Sequence, residues 1–318
     1  MYYNIIVYRN AKVLNYYRLS LGKMEGNMIE IKWFNDIENA KLGKHPDNIT
    51  AKIDEILNIN YGIRDISLLL SSISSEHWLR ILNNRTQNVM ISYDFAMFYF
   101  EKGINDRLFP KNTEQINYEN LYSFKYFIEN FFIGGFSIYE NIGHIINDMY
   151  NLEEIYKDEY EKSQISFKLV VSNLSKKVNR NEQIINKKIK NLKKKKQKSN
   201  IEEEKVELEE LIKKFNDRSK DICKMQEYIR KINRIKNSRD FKDTERIRHN
   251  IVHNNPPLIL ENPVVHRKNG VSTFGEGRYI NSDTVKKHMD IFLEQYLEIL
   301  TILKEMFECN NWIKEYEF

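Results

Sequence analysis

The chain has 318 residues, 41% of them hydrophobic and 12% aromatic, which supplies a full core, allows two domains and excludes a disordered chain. Its 50 Lys+Arg against 45 Asp+Glu leave a formal charge of +5, too mild to name a partner from the total, so a nucleic-acid argument must rest on where the charges lie. The two cysteines, Cys223 and Cys309, exclude a disulfide framework and read as buried thiols of a reduced compartment.

Residues 1–10 are short and tyrosine-rich and lack a signal-peptide layout, and the apolar stretch around Phe131 to Phe136 is too short to span a bilayer, so a cytoplasmic protein without membrane association is expected. Near the start, Ile29, Ile31 and Trp33 alternate with Glu30 and Lys32, and Ile5 and Val7 do so less cleanly, the period of half-buried strands. From Asn48 the period becomes helical through Ile49, Ile53, Ile56 and Leu57, and a second apolar helix follows through Ile66, Leu69, Leu70 and Ile73. The aromatic-rich stretch from Val89 to Phe100 fits helix or strand. Pro110 and the polar run 111–117 read as a boundary between an N-terminal domain of unknown role, 1–112, and a C-terminal domain, 113–318.

Beyond that boundary apolar residues recur at steps of four and three, the signature of a helical bundle. Phe124, Ile128, Phe131, Gly135, Ile138, Ile142, Ile145 and Met149 form one seam, in which Gly135 would let a partner helix come close. A helix over about 163–196 carries Val171, Leu174, Val178, Ile185 and Leu192, and another over about 201–235 carries Leu208, Leu211, Phe215, Ile222, Met225, Ile229 and Ile232. Ser199, three before Glu202, has the spacing of a capping box and predicts a tight hairpin between these two helices, about 163–236 in all. A short helix over roughly 240–253 comes next, then an irregular segment to Asn281 with Pro256, Pro257, Pro263 and three glycines, and a last helix with Val285, Met289, Phe292, Tyr296, Ile299, Leu303 and Met306. The expected fold is mainly α, a C-terminal helical bundle with a smaller mixed α/β or mostly helical N-terminal domain.

The short helix holds the chemistry. Arg246-Ile247-Arg248-His249-Asn250-Ile251-Val252-His253 puts guanidinium and imidazole groups at the end of one helix, the arginine suited to a phosphate's charge and the histidine to proton transfer near neutral pH. Residues five apart on a helix differ by roughly 140° in direction, so Arg248 and His253 of one copy do not share a face and form a poor pocket, although a long arginine and a histidine near the helix end can converge on a surface that packs against a second copy. Two registers are open, Arg248 or Arg246 with His253. Arg248 is preferred because a polar neighbour, His249, follows it.

A helical bundle with this Arg-x4-His run on a late helix resembles the HEPN superfamily, over roughly residues 116–310. The resemblance implies a homodimer with a composite active site, and metal-independent RNA cleavage in which the ribose 2′-OH attacks the adjacent phosphorus and leaves a 2′,3′-cyclic phosphate. On that reading His253 transfers a proton, Arg248 stabilises the phosphorane, and His249 or Asn250 orients one of them. It also implies a toxin or antiviral effector, with an antitoxin or activating partner. The alternative is an inert HEPN-like module for dimerisation or for binding RNA or protein.

Charge near the motif agrees with RNA: 230–248 holds eight basic residues, among them Arg234, Lys236, Arg239, Lys242 and Arg246, against Asp240, Asp243 and Glu245. The denser run 187–198, eight lysines and no acid, faces Glu202, Glu203, Glu204, Glu207, Glu209 and Glu210 across the hairpin, and mutual compensation is the expectation there, with RNA binding as the alternative. Glu140, His144 and Asp148 form a polar stripe on the first bundle helix, either a solvated edge or, for Glu140 and His144, a support for Arg248. His249, His253 and Glu245 share a face that a metal could use, but the glutamate a zinc-protease helix needs after its first histidine is missing, and no metal or other cofactor is expected.

Overall fold

In a computed structural model the described residues are 47–57, 66–107, 109, 114–150, 152, 165–253, 257–258, 263–268, 271–276 and 279–308. The strands expected around Ile5 and Ile31 lie outside them, as does Cys309. Seven helices and one hairpin follow in order among these residues: α1 (Asp47–Leu57), α2 (Ile66–Glu101), α3 (Tyr118–Met149), α4 (Phe167–Lys198), α5 (Glu202–Asn237), α6 (Arg239–His253), β1 (Pro263–Lys268), β2 (Val271–Glu276) and α7 (Ser282–Glu308).

The stretch 89–100, ambiguous between helix and strand, is the last third of α2. Val89, Met90, Tyr93, Phe95, Ala96, Met97 and Tyr99 are all buried, so the helix is covered on nearly every side and shows no one-faced period. It runs antiparallel to α3, in contact from Phe100 on Phe124, through Phe95 on Phe127, to Trp78 on His144. Helices α2 and α3 share one core, and the compact unit that holds the described residues spans Lys41–Phe318.

The α3 seam is buried as its period predicts, from Phe124 to Ile145, with Met149 half-buried. Gly135 is the point of closest approach: a Cβ there would stand 2.7 Å from the ring of Phe292 on α7. Phe292 lies among Phe131, Phe136 and Tyr139, and Tyr296 of the same helix shares a 2.7 Å hydrogen bond with Thr86 of α2. Asp106, almost wholly buried after α2, accepts hydrogen bonds from the Tyr279 hydroxyl and from both Ser282 N–H and Oγ, which pins the start of α7.

Helices α4 and α5 form the expected hairpin, but the capping box does not form. Glu202 is itself the first helical residue and binds Lys205, while Ser199 Oγ donates to Glu204 and accepts from Ile201 N–H. The seam thins toward the tip, where Leu211 is exposed and Phe215 half-buried. Cys223 on α5 is exposed, not a buried thiol.

The segment expected to be irregular contains an antiparallel hairpin. Val264 pairs with Gly275 and Lys268 with Val271. Among the described residues no helix is long and apolar enough to cross a membrane.

Candidate nucleic-acid site on the motif helix

Helix α6 is set off from α5 by a break at Ser238, whose Oγ accepts from Phe241 N–H at 3.1 Å and caps the new helix. Three neighbours then hold it. Phe241 packs against Phe136 and Tyr139 of α3; Thr244 Oγ1 lies 3.2 Å from His288 Nδ1 of α7; and Lys168, at the start of α4, donates to both carboxylate oxygens of Glu245 at 2.7 and 2.8 Å. Phe241, Thr244 and Ile247 are buried and Ile251 packs partly on the core.

This packing decides which motif residues meet. The solvent side of α6 carries Arg239, Lys242, Arg246, His249, Val252 and His253, all exposed. His249 and His253 stand together, one turn apart, with ring centroids 4.9 Å apart and planes tilted by 49°. Arg246 lies on this face two turns before His253, and Asp243 takes it at 3.3 Å and Arg239 at 3.5 Å. Arg248 is half-buried on the packed side, its Nε enclosed and without an acceptor among the described residues. Asn250 is half-buried too. One copy thus separates Arg248 from the two imidazoles, as the helical angle requires.

The rest of the basic strip is divided. Arg234 on α5 binds Glu298 of α7 at 3.1 Å, and Lys236 is half-buried, its ammonium pushed below the ordinary lysine range by desolvation and by the charge of Lys168. The cations that stay on the open face of α6 are Arg239, Lys242 and Arg246.

Glu140 and His144 belong to another contact. His144 stacks on Trp78 of α2 at 4.0 Å and 11°, Asp148 accepts from Ser74, and Arg85 donates to Asn141 Oδ1 and to the Ser137 carbonyl. Burial lowers the His144 pKa from its ordinary value, against the opposing charges of Asp148 and Glu140. Glu140 is exposed, and among the described residues no hydrogen bond or ion pair joins it or His144 to Arg248. The side chains that hold the motif helix are His288 and Lys168 instead. A histidine beside the seam residues Val285 and Met289 was the only trace of the first in the sequence, and a cation at a helix start the only trace of the second. No group of three or more His, Cys, Asp or Glu placed to hold a metal ion occurs among the described residues.

This architecture, a long antiparallel α2–α3 pair extended by further helices, is a mainly helical domain with a basic, histidine-bearing face on α6. Residues 78–204 match the family model described as Cthe2314-like HEPN, which supports a HEPN-type helical domain over that stretch. The match begins inside α2, earlier than residue 116, takes in α3 and α4, and ends in the first turn of α5, before α6. Comparison with curated proteins and with solved structures gives no match.

Proposed function

We propose that this protein is a metal-independent endoribonuclease of HEPN type, working as a homodimer in the cytoplasm. The observation that carries the reading is the exposed His249–His253 pair, 4.9 Å apart on a face whose other charged groups are mainly cations. Cleavage by the ribose 2′-OH needs a proton removed at one oxygen and supplied at another, and two adjacent imidazoles can do both. One takes the 2′-OH proton as the O2′–P bond forms; the other, protonated, gives its proton to the 5′ oxygen as the P–O5′ bond breaks. The products are a 2′,3′-cyclic phosphate and a 5′-hydroxyl.

Arg248 supplies the fixed charge. Its enclosed Nε–H has no acceptor among the described residues, and a buried donor left without one costs about 1–3 kcal/mol, which a phosphate oxygen or a partner's carbonyl would recover. Because Arg248 and the imidazoles face apart on one helix, the site is completed by a second copy whose α6 faces the first, with exposed Val252 at the contact and Arg246 adding charge from the open side. Asn250 orients the arginine or a histidine, while Arg239 and Lys242 hold the RNA backbone. A role as toxin or antiviral effector, under an antitoxin or an activating partner, rests on family analogy.

A second reading, an inert HEPN module that dimerises or binds RNA or protein, draws on the family match ending before α6. His253→Ala separates the two. Incubated with single-stranded RNA and with tRNA in the presence of a chelator, the variant loses cleavage but keeps its fold and mass if His253 transfers protons; if it serves assembly, the dimer weakens instead.

A further inference from the structure

Helix α4 is the most one-sidedly charged element described: twelve Lys and Arg against the single acid Glu182, which is engaged by Gln226 across the hairpin at 2.8 Å. The compensation expected from the glutamates of α5 occurs at one place, Lys196 with Glu209 at 3.0 Å. The other side of α4 is different. Lys176, Arg180, Gln183, Lys187, Lys190, Lys194 and Lys198 follow one another at steps of four and three, so they form a single straight stripe, and each is exposed. None of its six cations forms an ion pair among the described residues.

The stripe also has a fixed relation to the motif helix. α4 begins beside it, where Lys168 grips Glu245 and Phe167 stacks on Tyr139, and then runs outward past Lys177, which donates to the Tyr150 carbonyl at the end of α3. From Lys176 to Lys198 the helix extends about 33 Å. A row of cations on a helix whose first turn is tied to the motif helix, with no acid in the row, matches a continuous phosphate backbone better than it matches a protein surface, where charges alternate.

We propose that this face of α4 is an RNA-binding rail, which holds the backbone of a long or structured substrate beyond the point of cleavage. The proposal rests on the ribonuclease reading for the identity of the nucleic acid and adds to it how long RNA is preferred. Lysines contacting phosphates give affinity without reading sequence, so the rail selects length and backbone density.

The test compares the full-length wild type with Lys187→Gln/Lys190→Gln/Lys194→Gln/Lys198→Gln and with the matching four Lys→Arg changes. Binding of a fluorescent hairpin RNA longer than the rail is followed by anisotropy between about 50 and 200 mM salt, and cleavage of a dinucleotide is followed separately. The Gln variant should bind the hairpin at least about tenfold more weakly, its slope of log affinity against log salt should fall by about three, and the Arg variant should bind as wild type. Dinucleotide cleavage should be unchanged in all three. Hairpin affinity and salt slope unchanged in the Gln variant would overturn the proposal, as would a change of molecular mass with RNA affinity intact, which would make α4 a protein-docking face. A wild type that binds RNA through the rail but cuts none would remove the nuclease reading and leave the rail standing.

Discussion

Thr244 and His288 join the motif helix to the last helix of the core. The threonine hydroxyl is fully enclosed, and the Nδ1 atom at 3.2 Å is the polar partner it meets. Since Thr244 stands one turn before Arg248, this contact sets the rotation of α6 about its axis and thereby which residues face outward. Thr244→Val leaves the histidine nitrogen without its partner and should cost about 1 kcal/mol in urea unfolding, with a loss of RNA cleavage larger than that stability change explains.

His288 also predicts a pH dependence. Desolvation lowers its pKa from the ordinary 6.5, outweighing the opposing pull of Asp243 and Asp240, and His144, stacked on Trp78, is lowered for the same reason. A histidine with a depressed folded pKa binds its proton more readily when unfolded, so stability is full above pH 6.5 and is lost as pH falls below it toward the folded values. Thermal unfolding from pH 8 to pH 5 should show this decline, and His288→Gln should flatten part of it. A midpoint that rises on acidification through this window would contradict the assignment.

Gly135 should tolerate no side chain. A methyl group there meets the Phe292 ring at 2.7 Å, and that ring is hemmed in by Phe131, Phe136 and Tyr139. Gly135→Ala should destabilise by about 1–3 kcal/mol, the usual cost of overpacking. Adding Phe292→Leu to Gly135→Ala should recover part of the loss, which a double-mutant cycle by denaturant unfolding would show.

Asp106 should matter more than its place outside any helix suggests. Its carboxylate is buried and takes three hydrogen bonds, two of them from Ser282 at the start of α7. Asp106→Ala removes the acceptor and leaves those donors enclosed, at an expected cost of about 2–3 kcal/mol by calorimetry, whereas the exposed Lys168–Glu245 pair should give less than about 1 kcal/mol on Lys168→Ala.

These contacts also mark what the amino-acid sequence could tell. The seams of α3 and α7 were legible because each helix is buried along one stripe, so Phe124 to Ile145 and Val285 to Met306 recur at helical spacing. The end of α2 was not, because residues such as Met90, Phe95 and Tyr99 are buried on several sides and erase the period. The β1–β2 hairpin was hidden in a stretch dominated by proline and glycine, although Asn269-Gly270 between valine-bearing segments is a turn signal. At the motif, spacing along the helix foretold that Arg248 and His253 point apart and that His249 and His253 align. Which side packs inward was not legible, since that depends on Phe136, Lys168 and His288, which are remote in sequence.

The paired imidazoles make separable predictions. His249→Ala and His253→Ala should each abolish cleavage of ordinary RNA, but replacing the 5′ leaving oxygen with sulfur, which departs without a proton, should restore cleavage to one variant and not the other. Rescue of both or neither would mean that the two histidines do not divide the base and acid roles.

The most direct measurement is the chemistry of the new ends when wild-type protein and His253→Ala are incubated with labelled single-stranded RNA and tRNA in chelator. A 2′,3′-cyclic phosphate with a 5′-hydroxyl, made by the wild type alone and lost when the 2′-OH at the cut is replaced by hydrogen, is the result the account predicts. Ends bearing a 5′-phosphate, equal cleavage by His253→Ala, or no cleavage by either protein would contradict it.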